Sequence, residues 1–285
     1  MLREKSQVMD IVKYKGLHPA LKEFVESIFY MSRDADEDGF FFQVALPNYE
    51  CFLSFECDTD FVVRKGGDLD FSPLYSATVI PPQLVKTEIK GKNIKAIIVK
   101  FKDGGFYRLF KIPIPLFHNK CCNAKDVFDC EFSIIYDQIM EHIDPEKKMR
   151  AVEDFLLKKV INCKPFTPLD LAAKKILLSQ GNTPILDLAS NACMSVRQMQ
   201  RKFMEQFGLS PKHYSKFIRY NNARQMKALF PNLTWGEISL RCGYFDQMHL
   251  IHDFKSITGF TPFELVIHPL NSNAFEDPNT IKQSR

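Results

Sequence analysis

Leu188-Ala-Ser-Asn-Ala-Cys-Met-Ser-Val-Arg-Gln-Met-Gln-Arg-Lys-Phe203, followed by Gly208-Leu-Ser-Pro211, decides how this chain is to be read, because its frame occurs twice. Phe203, Gly208, Leu209, Ser210 and Pro211 return as Phe254, Gly259, Phe260, Thr261 and Pro262, each 51 positions later. Ser195 and Asp246 keep that offset, while Leu188-Ala189 pairs with Ile238-Ser239 one residue earlier in phase. Self-similarity at a fixed period marks one supersecondary unit built twice. Each copy spells a short helix, a tight turn and a capped helix, which is a helix-turn-helix. The small Ala189 and Ser239 let the second helix cross the first closely. Such a second helix can enter the DNA major groove with its N-terminal turns against base edges.

The punctuation around the repeat is explicit. Gly181 ends one helix, and Thr183-Pro184 opens the next with Thr as N-cap and Pro at the first helical position. Ser195-x-x-Gln198 and Thr234-x-x-Glu237 are capping boxes. Ser210-Pro211 starts a helix running to about Leu229, Asp246 caps the one ending at Gly259, and Thr261-Pro262 with Glu264 opens the last.

Charge singles out the same region. The chain of 285 residues carries a net charge of only +4. Between Asn182 and Phe230, however, eight basic residues face only Asp187 and Glu205, leaving the rest of the chain net acidic. A local basic excess on helices is the electrostatic footprint of a nucleic-acid binder, with a solvated helical face as the bland alternative.

Within the first candidate recognition helix, Arg197, Gln200 and Arg201 fall at i, i+3 and i+4 and share one face, opposite the core-facing Met199 and Phe203. Arg pairs bidentately with guanine and Gln with adenine, so these types suit base edges. Gln198 is expected to reach back into the capping box and Lys202 to face phosphate. In the second helix the polar candidates are Gln247, His249 and His252. Met248 and Ile251 suit either thymine methyl groups or core packing. Backbone N–H groups at the helix starts near Ser195 and Asp246 are candidate phosphate anchors, although the Asp246 carboxylate opposes an anion. Lys212, Lys216 and Arg219 are read as phosphate contacts or as a solvated helix face.

The first half has a different texture. Residues 19–31, PALKEFVESIFYM, carry Leu21, Phe24, Val25, Ile28 and Phe29 at helical spacing and predict a helix. From about Phe40 to Phe110, short β-branched and aromatic runs alternate with turn formers, predicting a small antiparallel barrel or sandwich. Phe40, Phe41, Phe42, Phe52 and Phe55 are read mostly as core, with a ligand pocket as the alternative. Asp126–Ile143 and Glu146–Ile161 predict two amphipathic helices, the second with Val152, Phe155, Leu156, Val160 and Ile161 on one stripe. This pair is read as a dimer interface, with packing inside its own domain as the alternative.

The repeat as quoted, together with Cys242-Gly-Tyr-Phe-Asp-Gln-Met-His-Leu-Ile-His-Asp-Phe-Lys255 and Thr258-Gly-Phe-Thr-Pro262, resembles the DNA-binding domain of AraC/XylS-type transcription regulators. The resemblance spans about 100 residues. A weaker likeness to the regulatory domain of one subgroup rests on Phe101-Lys-Asp-Gly-Gly-Phe-Tyr-Arg-Leu-Phe110. It implies a β-barrel-like sensing and dimerisation domain joined to two helix-turn-helices held by a linker helix. Two departures stand out. Cys193 occupies a turn position where the family often has Gly, which predicts local strain. His252 stands where Arg or Lys is common, so the second motif is expected to contact bases sparsely.

Other classes find less support. Eight cysteines, at 51, 57, 121, 122, 130, 163, 193 and 242, show no C-x-x-C and no zinc-like spacing. Cys121-Cys122 is a candidate redox pair. His249 and His252 lack a third metal ligand in the sequence. There is no Walker loop, G-x-G-x-x-G, G-x-S-x-G or H-E-x-x-H, so an enzyme housed in the barrel is the weaker rival. An architectural DNA binder without an effector is the other rival. Apolar runs are far too short to span a bilayer, and the N-terminus lacks the apolar core of a secretory signal, so a cytoplasmic protein is expected.

The expectation is therefore an α+β chain. Residues 1–163 form a regulatory and dimerisation domain, a small cupin-like β-barrel to about 120 followed by helices over 126–161. Residues 164–168 are the linker, 169–268 an all-α double helix-turn-helix domain and 269–285 a polar tail. No cofactor, metal or catalytic residue is assigned. Expected partners are double-stranded DNA, RNA polymerase, a second copy of the chain and a small-molecule effector of unknown identity, with no membrane. Activation is favoured over repression by the resemblance alone.

Overall fold

A run that promises a helix builds a strand instead. In the computed structural model, which describes residues 9–37, 39–117, 120–128 and 131–267, Val25–Asp34 is a ten-residue strand. Only Pro19–Leu21 coils, as one 3-10 turn capped by His18. The spacing of Phe24, Val25, Ile28 and Phe29 fits a helix, but it equally fits an inner strand buried on both faces. Ile28 lies opposite Val99 and Phe29 opposite Ile98, and all four are buried. Pairing with a β-branched partner strand outweighs the local helical period here.

The chain divides into two compact units. The first comprises Met1–Gln43, Glu50–Pro81 and Thr87–Pro165. Among the described residues its architecture is a nine-stranded antiparallel sheet built from β1 (Asp10–Lys13), β2 (Val25–Asp34), β3 (Phe41–Ala45), β4 (Phe52–Glu56), β5 (Asp60–Lys65), β6 (Ser72–Pro73), β7 (Ala77–Ile80), β8 (Thr87–Phe101) and β9 (Cys122–Asn123). The pairing order is β1-β2-β8-β4-β7-β9, with β3 and β5 also on β8 and β6 on β5. The expected barrel is thus an open, cupin-like sheet, because the path has two ends.

Strand β8 organises it. One edge of its 15 residues takes β2, and β4 and β5 pair with it in series along Lys100–Ala96 and Asn93–Thr87. A register shift falls at Asp60/Phe61, opposite Gly91. A Cβ on Gly91 would sit 2.3 Å from the Asp60 carbonyl oxygen, so the bulge requires glycine there.

Helices α1 (Gly105–Phe110), α2 (Ala124–Val127), α3 (Glu131–Glu141) and α4 (Pro145–Val160) complete this unit. The helix expected from Asp126 arrives as two pieces, α2 and α3. On α4, Val152, Phe155 and Leu156 are buried in the same core as Ile97 and Val99 of β8. That stripe serves its own unit, whereas Ile161 is 83% exposed. Phe41, Phe52 and Phe55 are core residues, but Phe40 and Phe42 alternate outward.

The second unit comprises Phe166–Arg285 with two upstream segments, Val44–Tyr49 and Pro82–Lys86, built into it. Its helices are α5 (Pro168–Leu178), α6 (Ile185–Asn191), α7 (Val196–Phe207), α8 (Pro211–Leu229), α9 (Trp235–Arg241), α10 (Gln247–Thr258) and α11 (Pro262–Ile267). Met199, Phe203, Tyr214, Tyr220, Leu250 and Phe254 are almost completely buried at the centre. Leu46 belongs to this core, and the Tyr49 ring meets Tyr214 edge-on at 5.2 Å. Asn48 and Gln83 join the two upstream segments through a reciprocal pair of 2.9 Å backbone hydrogen bonds. The caps at Ser195, Ser210, Thr234 and Asp246 form as expected. Thr183 differs: Pro184 takes the N-cap position, and the Thr183 hydroxyl bonds Ser179 at 2.7 Å instead. The polar tail from 269 lies outside the described residues.

Candidate nucleic-acid interface

Each motif turns on one left-handed residue. In the first, Cys193 adopts φ +52°, a conformation that costs an L side chain about 1–2 kcal/mol and that the sequence departure predicts. In the second, Gly243 takes the same place at φ +76°. Any Cβ on Gly243 would fall 2.4 Å from Asn182 Oδ1. Asn182 Nδ2 in turn donates to the Cys242 carbonyl at 3.3 Å, so a residue ahead of the first motif pins the turn of the second.

The turns differ by one residue, which explains why the offset grows from 50 to 51. Met194 packs on the core in the first motif, and Tyr244 does so in the second at 3% exposure. The additional residue before the cap is Phe245, which is 88% exposed. Ala189 and Ser239 are buried where the paired helices cross.

Helix α7 separates its faces cleanly. Met199 and Phe203 are buried, while Arg197, Gln200, Arg201 and Lys202 are exposed. Among the described residues none of Arg197, Arg201 and Lys202 has an ion-pair partner. Gln198 is held in the capping box: its Oε1 accepts from Ser195 N at 3.0 Å, and Ser195 Oγ accepts from Gln198 N at 3.2 Å. The polar face beside the core therefore consists of Arg197, Gln200 and Arg201, a forked cation, an amide and a second forked cation within two turns.

Helix α10 has another character. Leu250 and Phe254 are buried, whereas Met248 is 68% exposed and Ile251 half-buried. Of the two roles open to Met248, core packing is excluded by this exposure. Asp246 Oδ1 accepts from His249 N at 2.7 Å, and the His249 ring stands edge-on to Tyr244 at 5.2 Å. Gln247 is half-buried, with its amide oxygen over Gly236 of α9. His252 and Lys255 remain exposed.

The cations of α8 divide. Lys212 is exposed. Lys216 and Arg219 instead converge on Asp253 of α10, each at 3.3 Å, and Asp253 is only 4% exposed. Lys216 also donates to the Ser256 hydroxyl, and Arg219 Nη1 donates to the Gly181 carbonyl at 2.8 Å. The solvated face anticipated as one alternative for these two is not what they form: they brace α10 through Asp253. Asp253 is a residue that sequence reasoning missed. Its only signal was a lone acid on its helix, whose partners lie more than thirty positions away.

Elsewhere the thiols are quiet. Burial pushes Cys121 and Cys122 above the ordinary thiol range, which keeps them protonated and weakly nucleophilic. Among the described residues no three His, Cys, Asp or Glu side chains are placed to hold a metal ion, and no helix is long and apolar enough to cross a membrane.

Comparison with known proteins points to the same segment. Residues 188–266 match the helix-turn-helix domain family. The HTH-type transcriptional regulator ArgR of Pseudomonas aeruginosa is 30% identical over 90 residues, covering 32% of this chain and 27% of that protein. The alignment thus spans about a quarter of the curated relative. Among solved structures, ToxT from Vibrio cholerae O395 aligns with 81% of this chain and 98% of its own at 13% identity and a TM-score of 0.43. The DNA-binding domain of AdpA, solved in complex with a target DNA, aligns with 35% of this chain and 89% of its own at 24% identity and a TM-score of 0.32. With its repeated motifs, its two left-handed turns and this family match, the segment 188–266 is a helix-turn-helix domain.

Proposed function

We propose that the chain is a sequence-specific DNA-binding transcription regulator whose two recognition helices, α7 and α10, enter successive major-groove segments of double-stranded DNA. The observation that carries this reading is the exposed face of Arg197, Gln200 and Arg201 on a helix whose opposite side is locked into the core. Side chains anchored on a rigid helix are held at fixed spacing, which base-edge recognition requires. Lys202, Lys212 and the helix start at Ser195 supply phosphate contacts, and these give the sequence-independent share of affinity. With Lys216 turned inward onto Asp253, it is not part of that set.

The first unit is assigned sensing of a small-molecule effector and formation of a homodimer, and the regulator acts on RNA polymerase at its promoters in the cytoplasm, with activation as its sign. A face for the second copy lies away from the buried stripe of α4, because Val152, Phe155 and Leu156 are already enclosed.

The test is fluorescence-anisotropy titration of the full chain against selected and random duplexes across a salt series. Enriched sequences should bind far more tightly than random DNA, with affinity falling steeply as salt rises. Arg201→Ala should lose most of the preference. Equal affinity for every duplex would replace this reading with that of an architectural DNA binder.

A further inference from the structure

We infer that the second motif reads thymine methyl groups through Phe245 and Met248, so that the two recognition helices recognise DNA by different chemistry. The inference rests on the DNA-binding reading above and specifies what its second half recognises.

The two motifs share one frame, and the outward positions of their second helices carry different chemistry. At the offset of 51, Arg197, Gln200 and Arg201 of α7 correspond to Met248, Ile251 and His252 of α10. A forked cation that suits guanine is thus replaced by a thioether that offers no donor. Gln247 and His249, the other polar candidates at this helix start, are turned back on Gly236 and Tyr244. Asp253 holds Lys216 and Arg219 inward, which removes two cations from the neighbourhood. Beside the exposed Asp246 and His249, the apolar side chains that face outward at the leading end of α10 are Phe245 and, three residues on, Met248, at 88% and 68% exposure.

Phe245 has no structural task that explains it. A hydrophobic residue just before an N-cap usually staples onto the fourth helical residue, here Leu250. In this turn Tyr244 has taken the inward place, and the additional residue is displaced into water. One exposed apolar side chain needs no explanation, but two within one turn at the leading end of a groove-entering helix offer an apolar contact. The major groove offers such a surface a single apolar feature, the C5-methyl of thymine. Against any other base edge, the same side chains would desolvate donors and acceptors without replacing their hydrogen bonds, which penalises the alternatives.

The experiment uses the full chain and a duplex enriched from a random pool. Each thymine in the half contacted by α10 is replaced singly by deoxyuridine, which deletes the methyl and nothing else. Wild type should lose about four-fold in affinity at each methyl contacted, the transfer value of one buried methylene. Phe245→Ser and Met248→Gln, both at exposed positions, should bind the thymine and uracil duplexes alike, while Arg201→Ala should retain the difference. An enriched site without thymine in that half, or equal wild-type affinity for thymine and uracil, overturns the inference and leaves the DNA-binding reading standing. Unchanged DNA binding by both variants with loss of transcription activation also overturns it, marking the patch as a protein contact. Failure to enrich any sequence removes the DNA-binding reading and this inference together.

Discussion

Arg219 spans from α8 to Asp253 of α10 at 3.3 Å while its other terminal nitrogen donates to the Gly181 carbonyl at 2.8 Å, tying the end of α5, the long α8 and the second recognition helix through one guanidinium. With Lys216 on the other carboxylate oxygen, Asp253 is an acid held between two cations in a nearly water-free site. Removing the acid strands both cations. Asp253→Ala should therefore destabilise the protein by about 3 kcal/mol, measured by urea denaturation of the full chain. Arg219→Lys, which keeps the charge but loses the fork to Gly181, should cost less. Equal stability of Asp253→Ala and wild type would show that the triad contributes nothing.

The recognition face of α7 should separate by chemistry. Arg197→Ala and Arg201→Ala should each cost about 1–3 kcal/mol against the preferred sequence and relax the preference at one base position. Lys202→Ala should weaken binding to all sequences alike and flatten the salt dependence by about one ion. Gln198→Ala should lower thermal stability by about 1 kcal/mol through the lost capping box and leave base preference unchanged. Anisotropy titrations at several salt concentrations read the first two effects, and calorimetry the third.

The left-handed turns give a pair of opposite signs. Cys193→Gly should stabilise the protein by about 1 kcal/mol, since glycine adopts φ +52° without the side-chain clash that cysteine bears. Gly243→Ala should destabilise it by more, because strain at φ +76° is joined by collision with Asn182. Thermal melts of the two variants test this directly, and a stabilised Gly243→Ala would contradict the geometry.

Within the first unit, Glu56 carries a pH signature. Burial pushes its carboxyl up to about 7, against hydrogen bonds from Ser54 and Thr59 that act the other way. The folded state then holds this proton more tightly than the unfolded chain does, so stability falls as pH rises from the ordinary carboxyl value near 4.5 to about 7. Below that window both states are protonated and nothing is lost. Glu56→Gln should remove the slope and gain on wild type by roughly 2–3 kcal/mol between pH 4.5 and pH 8. Parallel denaturation curves at pH 5, 6, 7 and 8 measure it.

The aromatic contact of Tyr49 with Tyr214 and Phe217 predicts an effect at a distance in sequence. Tyr49→Ala should destabilise the second unit by about 2–3 kcal/mol, although it lies far upstream of every helix there. Hydrogen exchange of α8 amides in wild type and variant would register the loss.

How much of this was legible in the sequence depends on whether the deciding interaction was local. Caps at Ser195, Ser210, Thr234 and Asp246 involve side chains and backbone within three residues, and they could be read directly. So could the division of α7 into faces, which needs only the helical period. Residues 19–31 misled because a strand buried on both faces and a helix share an apolar run, and the partner that decides, β8, is some seventy positions away. Lys216 and Arg219 misled for the same reason, since their acid lies on another helix. Phe245 was present in the quoted motif, but its exposure follows from a one-residue difference between turns that becomes visible only when the two are laid side by side.

The segments Val44–Tyr49 and Pro82–Lys86 also bear on the order of events during synthesis. Leu46 and Tyr49 leave the ribosome well before Tyr214, Phe217 and Phe254, which belong to the core they enter. The second unit therefore cannot close sequentially from its own N-terminus. Its upstream pieces must remain uncommitted until α8 and α10 have been made, and its long-range contacts place it among slower-folding topologies than a local helical bundle of the same length.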